Sequence, residues 1–345
     1  MHRPIADITP LSHLGVLAVR GVEARKFLGG QLSQDVLALA ADRVELAGLH
    51  SPQGRVLALL RLVAQGPNDV LCVLPRELLT DTLALLRKFL LRAKTTLSDE
   101  SALWHLEGLA NDSARGAAVA GALPPASMAT LGSAARASPH AGEGQSAGEV
   151  QSSGEAQNTE IICWRHAPDG RLIRLRAATG EAGPSAAADS GAALRAWQLA
   201  DIVVGIPDIT LATRGEFVAQ MLNLDVLGGI SFTKGCYTGQ EVIARAHYRG
   251  RVKRRVQRFQ LAPSSLPTPG DKLELEVEVG GTRVLRSAQV VNAVAADEGI
   301  ECLAVAIFAE AEPAPAEPAP AESAPAESAP ARGARAMPMG YSLPD

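Results

Sequence analysis

The chain has 345 residues, a formal net charge of −4 and four cysteines, a length that suits two or three domains at about 100–200 residues each. The near-balanced charge excludes a polycation, and the longest apolar run, residues 56–64, is too short to span a bilayer and is interrupted by Arg61. The opening residues lack the continuous apolar stretch of a secretory signal, and Cys72, Cys163, Cys236 and Cys302 form no C-x-x-C pair. A soluble, reduced, cytoplasmic protein with no metal site of its own is expected.

Two segments lack the side chains for a core. Residues 311–330 read AEPAP, AEPAP, AESAP, AESAP, and residues 132–157 are mostly Ala, Gly, Ser, Glu and Gln. Neither can bury enough apolar surface to offset the entropy of ordering. Both are expected as disordered insertions, the repeat forming a loop over 311–336 before a final segment that docks back on the fold.

In chain order, residues 21–28 have helix-forming composition and Gly29-Gly30 is the expected stop. Residues 44–49 and 55–63 flank the turn-forming SPQG at 51–54 and read as a hairpin. A third apolar run covers 70–74. Leu79, Leu83, Leu86 and Leu90 then make one stripe of a helix over 76–94, with Arg87, Lys88, Arg92 and Lys94 towards the end where the dipole favours cations. Residues 102–109, 160–165 and 171–176 read as strands, the last two pairing, and 192–200 as a helix. From Arg255 the period changes to two. Leu273, Leu275, Val277 and Val279 alternate with three glutamates, Gly280-Gly281 turns the chain into 283–294, and 300–308 follows as another strand. These strands suggest a small barrel or sandwich beyond a boundary near 249–253.

The segment 228–255, GGISFTKGCYTGQEVIARAHYRGRVKRR, holds seven basic residues against one acid, Glu241. Such a concentration attracts phosphates, carboxylates or a nucleic-acid backbone; its plainer reading is a solvated basic linker. Cys72, Cys163 and Cys302 sit in apolar runs and read as buried and inert. Cys236 stands in polar company between two glycines and beside Lys234, a setting that exposes a thiol and favours a thiolate, against the plainer reading that it fills a turn. A Cys236/His247 nucleophilic pair is conceivable, but no acidic orienter is evident. By residue type alone, Trp197 and Trp164 read as core.

The motif KGCYTGQE at 234–241, with LGGISF at 227–232 and ARAHYRG at 244–250, resembles the YgfZ family of folate-binding proteins, relatives of the glycine-cleavage T-protein aminomethyltransferase. GQLSQDV at 30–36, SPQGRVLA at 51–58, VGIPDI at 204–209, QMLNLD at 220–225 and YSL at 341–343 follow family segments in the same order. The resemblance implies an α+β fold: a three-domain ring in which two α+β domains interleave within residues 1–248 and a small β-barrel occupies 249–345. It implies tetrahydrofolate in a central channel and a role in assembly or repair of iron–sulfur clusters, including those of tRNA-modifying enzymes. Expected partners are a reduced folate and iron–sulfur enzymes or cluster-assembly proteins, with no membrane and no direct nucleic-acid partner.

On this resemblance Cys236 is the key thiolate. Lys234, Tyr237, Gln240 and Glu241 complete its turn, and Arg245 and Arg249 lie near the folate carboxylates. The aromatic beside the pterin falls on Trp197, and a second pocket aromatic falls on Leu14. Two positions depart from the pattern. The T-protein Asp pair is Ala58-Leu59 here, which cannot supply a titratable group for aminomethyl transfer. The acid that recognises the pterin falls on Val203, which leaves the ligand's donor edge without an acceptor. A folate-dependent one-carbon transferase is therefore the second reading. A tRNA-binding module, resting on residues 245–255, is the third; with 12 aromatic residues in the chain, stacking platforms are scarce.

Overall fold

A computed structural model describes residues 8–40, 44–110, 134–136, 161–165, 169–178, 190–250, 252–279, 282–307 and 332–343. The first half lays down β1 (Ile8–Pro10), β2 (Leu14–Arg20), α1 (Ala24–Gln31), β3 (Val44–His50), β4 (Val56–Ala64), β5 (Val70–Pro75), α2 (Arg76–Leu90), β6 (Thr96–Asp99) and β7 (Trp104–Leu109). There follow β8 (Ala134–Arg136), β9 (Ile161–Arg165), β10 (Leu172–Ala177), α3 (Ser190–Val204) and α4 (Gln240–Arg249). Last come β11 (Arg254–Leu261), β12 (Lys272–Val279), β13 (Thr282–Ala296), β14 (Gly299–Ile307) and β15 (Arg332–Met337). The result is mixed α+β and rich in sheet.

The chain alternates between two five-stranded sheets, ordered β3-β4-β5-β2-β6 and β1-β7-β10-β9-β8. The first sheet is buried on both faces because its strands are apolar at nearly every position. Leu17, Val19, Leu60 and Leu62 pack with Phe27 and Leu28 of α1 and Leu79, Leu83 and Leu86 of α2. On the other face, Leu14, Val16, Val63 and Val73 pack against Trp104, Leu106, Ile173 and Leu175 of the second sheet. Arg61 interrupts this pattern and is only 8% exposed.

Strands β11-β14-β13-β12-β15 close a barrel. The alternation read from the sequence is what fills it: Leu273, Leu275 and Val277 point inward with Phe259, Val290 and Cys302. Its outer residues Val256, Val294, Leu303 and Val305 join the core of the first sheet. Asn223 fastens the two, its Nδ2 donating to the Val256 carbonyl at 3.0 Å and to Tyr341 Oη at 3.1 Å. Tyr341 Oη donates in turn to the Gly205 carbonyl at 2.7 Å, which anchors the final segment.

Several expected boundaries differ. The first helix runs through Gly29-Gly30 to Gln31, because its last carbonyls find a distant cation described below. The second ends at Leu90, where Leu91 turns left-handed. The helix expected at 192–200 extends through Val204. Ala134–Arg136, inside the segment expected to be disordered, forms an edge strand on β9. Likewise, 332–336 are not loop: they pair with β11 and β12 and close the barrel. The remainder of 132–157, residues 311–331 and the Gly280-Gly281 turn lie outside the described residues. Among the described residues no helix is long and apolar enough to cross a membrane.

Candidate functional site

The KGCYTGQE segment folds as a turn pressed between α1 and the β3–β4 hairpin. Lys234 Nζ donates to the carbonyl oxygens of Gly29 at 2.5 Å, Leu32 at 2.7 Å and Gln34 at 2.9 Å. All three ammonium protons are thus committed to the orphan carbonyls at the end of α1. Burial pushes the Lys234 amine down to about 8, with the Asp35 carboxylate opposing. The ammonium also lies 4.9 Å from the centre of the Tyr237 ring. Tyr237 is buried, and burial lifts its phenol to about 12.

Beneath Tyr237, with ring centres 6.2 Å apart, lies His50, 1% exposed and without a hydrogen bond of normal geometry at either nitrogen. Burial pushes its imidazole down to about 4, the Gly48 backbone opposing. Cys236 sits on the outer side of the same turn and is exposed, whereas Cys72 and Cys302 are buried. Burial raises the Cys72 thiol to about 12, in keeping with an inert cysteine. The side chain of Cys163 lies outside the described residues. Gly239 ends the turn at φ +82, and a Cβ there would lie 2.5 Å from the Ser51 carbonyl oxygen. This glycine lets the Cys236 turn seat directly on the SPQG turn.

Gln240 and Glu241 open α4, a helix that the sequence reading missed. Its apolar side consists of Val242 and Ile243 alone, of which Ile243 is buried, and no side chain caps its start. Arg245 and Arg249 lie exposed on this helix. Not all of the basic segment is free: Arg255 is buried and paired with Asp225 at 2.9 Å.

Trp197 and Leu14 belong to neither this turn nor a cavity; both are core. The Trp197 ring is 1% exposed between Arg171, whose guanidinium lies 4.5 Å from the ring centre, and Gly108 of β7, where a side chain would collide with it. Leu14 pairs with Pro75 across the first sheet. Ala58 and Leu59 are buried apolar positions of β4.

A cavity of about 620 Å³ opens elsewhere, lined by Ser12 and His13, Arg61 of β4, Arg76 and Glu77 of α2, Gln198, Asp201 and Ile202 of α3, residues 206 and 208–210, and the barrel residues Asn292, Ala293 and Val294. Both the α+β body and the barrel therefore contribute. Its volume falls within the ~300–1,000 Å³ of small-molecule sites. Val203 points elsewhere. Arg61 Nη1 is buried in the wall without a hydrogen-bond partner. Burial pushes the Asp208 carboxyl up to about 6, the Arg61 guanidinium opposing and the Asp201 and Glu77 carboxylates adding to the rise. Asp201 is itself paired with Arg171 at 2.7 Å. These polar groups escaped the sequence reading, although Arg61 stood out as the lone charge in an apolar run. Along β4 the cavity is on the order of 16 Å from the hairpin end on which Cys236 sits, at about 3.3 Å per residue.

No model of a known protein family matches the chain. The tRNA-modifying protein YgfZ of Escherichia coli K12 is 30% identical over 311 residues, covering 88% of this chain and 86% of that protein. The chain belongs to the YgfZ family. The protein of the same name from Escherichia coli O127:H6 is 28% identical over the same coverage. Among solved structures, the glycine cleavage system aminomethyltransferase T of Bartonella henselae superposes with a TM-score of 0.58 at 14% identity, covering 89% of this chain and 79% of that one. That likeness extends the T-protein relationship of the YgfZ family to the fold of this member.

Proposed function

We propose that the protein is a cytoplasmic, tetrahydrofolate-binding accessory factor for tRNA modification that supports iron–sulfur clusters in client enzymes. The supporting observation is the cavity, which offers a buried cation and a high-pKa carboxyl to one ligand. A reduced pterin presents a carbonyl oxygen beside a row of N–H donors. Arg61 Nη1 meets the carbonyl and Asp208 accepts from the donors, replacing the acceptor missing at Val203. In this reading the two sheets and the barrel form the three-domain ring, with the cavity at its centre. Bound there, the folate supplies a nitrogen able to carry a one-carbon unit. The chain's own residues bind and orient; Ala58 and Leu59 offer no proton acceptor, so aminomethyl transfer is not part of the reading.

Cys236 is the group that meets a cluster, metal intermediate or client, since its thiol is exposed on a turn fixed from behind by Lys234. Lys234, Tyr237 and Gly239 act by holding that turn. Tetrahydrofolate should bind saturably, and Arg61→Ala should weaken it on the order of tenfold by removing a charge-assisted hydrogen bond. A Cys236→Ala strain should lose activity of iron–sulfur tRNA-modifying enzymes while the purified variant still binds folate. Normal enzyme activity in that strain would exclude the thiol role.

A further inference from the structure

The exposed side of α4 carries three aromatic rings in mutual contact. Phe232 stacks on His247 with centres 3.8 Å apart and planes 17° apart, and His247 meets Tyr248 edge-on at 4.7 Å. Phe232 is held by the main core, so the group is fixed to the body of the protein. Tyr248, at its outer end, is 68% exposed. Arg245, Tyr248 and Arg249 stand at i, i+3 and i+4 and share one helix face. Lys253 and Arg254 are exposed just beyond. Among the described residues no carboxylate pairs with any of these four cations. A merely solvated helix would intersperse acids, yet Glu241, in the first turn, is the one acid of α4.

We propose that this face docks an unpaired segment of RNA, a base stacking on Tyr248 and its flanking phosphates lying on Arg245 and Arg249. A flat exposed ring between guanidinium groups is the combination single strands use, since every base has a π-face and every linkage a charge. An acidic peptide or an anionic membrane would use the cations and leave the ring idle. The choice of RNA rests on the tRNA-linked reading above, and the expectation of no direct nucleic-acid partner is reversed for this surface.

The test is fluorescence anisotropy of the full-length protein with a labelled, unpaired RNA of about ten nucleotides. Expected are saturable binding that weakens steeply between about 50 and about 200 mM salt, and a loss on the order of tenfold in Tyr248→Ala that Tyr248→Trp restores. Arg245→Ala/Arg249→Ala should lower the salt slope by about two. Equal affinity for the same sequence as a duplex, tighter binding of the deoxy strand, unchanged affinity in Tyr248→Ala, or full competition by poly-glutamate or phosphatidylserine vesicles would each overturn the proposal. Tyr248 lies outside the cavity, so tetrahydrofolate affinity should be unaffected in Tyr248→Ala. Failure of RNA binding and failure of folate binding therefore read out separately.

Discussion

Lys234 and His50 show how much of the Cys236 turn is held from below. Lys234 replaces water at three carbonyls, so Lys234→Met leaves them buried without donors. The variant should lose about 2–3 kcal/mol of unfolding free energy in urea denaturation, with residues 29–34 showing the largest gain in amide exchange. His50 acts through pH. Its imidazole, at about 4 when folded against about 6.5 when unfolded, takes up a proton first in the unfolded chain. Stability from this group is therefore present above about 6.5 and is lost as pH falls towards 4, by up to ~3 kcal/mol. His50→Leu should flatten that part of the pH–stability curve relative to the wild type; superimposable curves would remove His50 as its source.

At the scale of elements, the hairpin β3–β4 ties the two sites together, Gly239 seated on its turn and Arg61 placed further along its second strand. Gly239→Ala would place a Cβ against Ser51 at a left-handed φ, and should cost about 2 kcal/mol or more. Thermal unfolding would register this as a lower midpoint, and an unchanged midpoint would mean the turn shifts freely. Elements whose own residues carry the pattern were legible in the sequence: the leucine stripe of α2 and the alternation of β12 appear as read. Elements completed by distant partners were not. Helix α1 outlasts its glycines because Lys234, some 200 residues on, receives its end, and α4 shows too short an apolar stripe to announce itself. The family-like motifs located the Cys236 turn, while a motif cannot say that Trp197 faces a sheet and Gln198, its neighbour, faces the cavity.

For the whole molecule, the cavity exists because the barrel packs its outer face on the body, through Val256, Val294, Leu303, Asn223 and the Arg255–Asp225 pair. Neither part alone supplies both Arg61 and Asn292. The ligand claim therefore has a pH signature as well as a residue signature, because Asp208, at about 6 when unliganded, must be ionised to accept from a pterin. Titration calorimetry with tetrahydrofolate under anaerobic conditions, on wild type, Arg61→Ala and Asp208→Asn, tests this most directly. The expected result is wild-type binding that holds above about pH 6 and weakens by up to about tenfold per unit below it, weaker binding in Arg61→Ala, and no such pH dependence in Asp208→Asn. Wild-type affinity in both variants, or no saturable binding at millimolar ligand, would contradict the account.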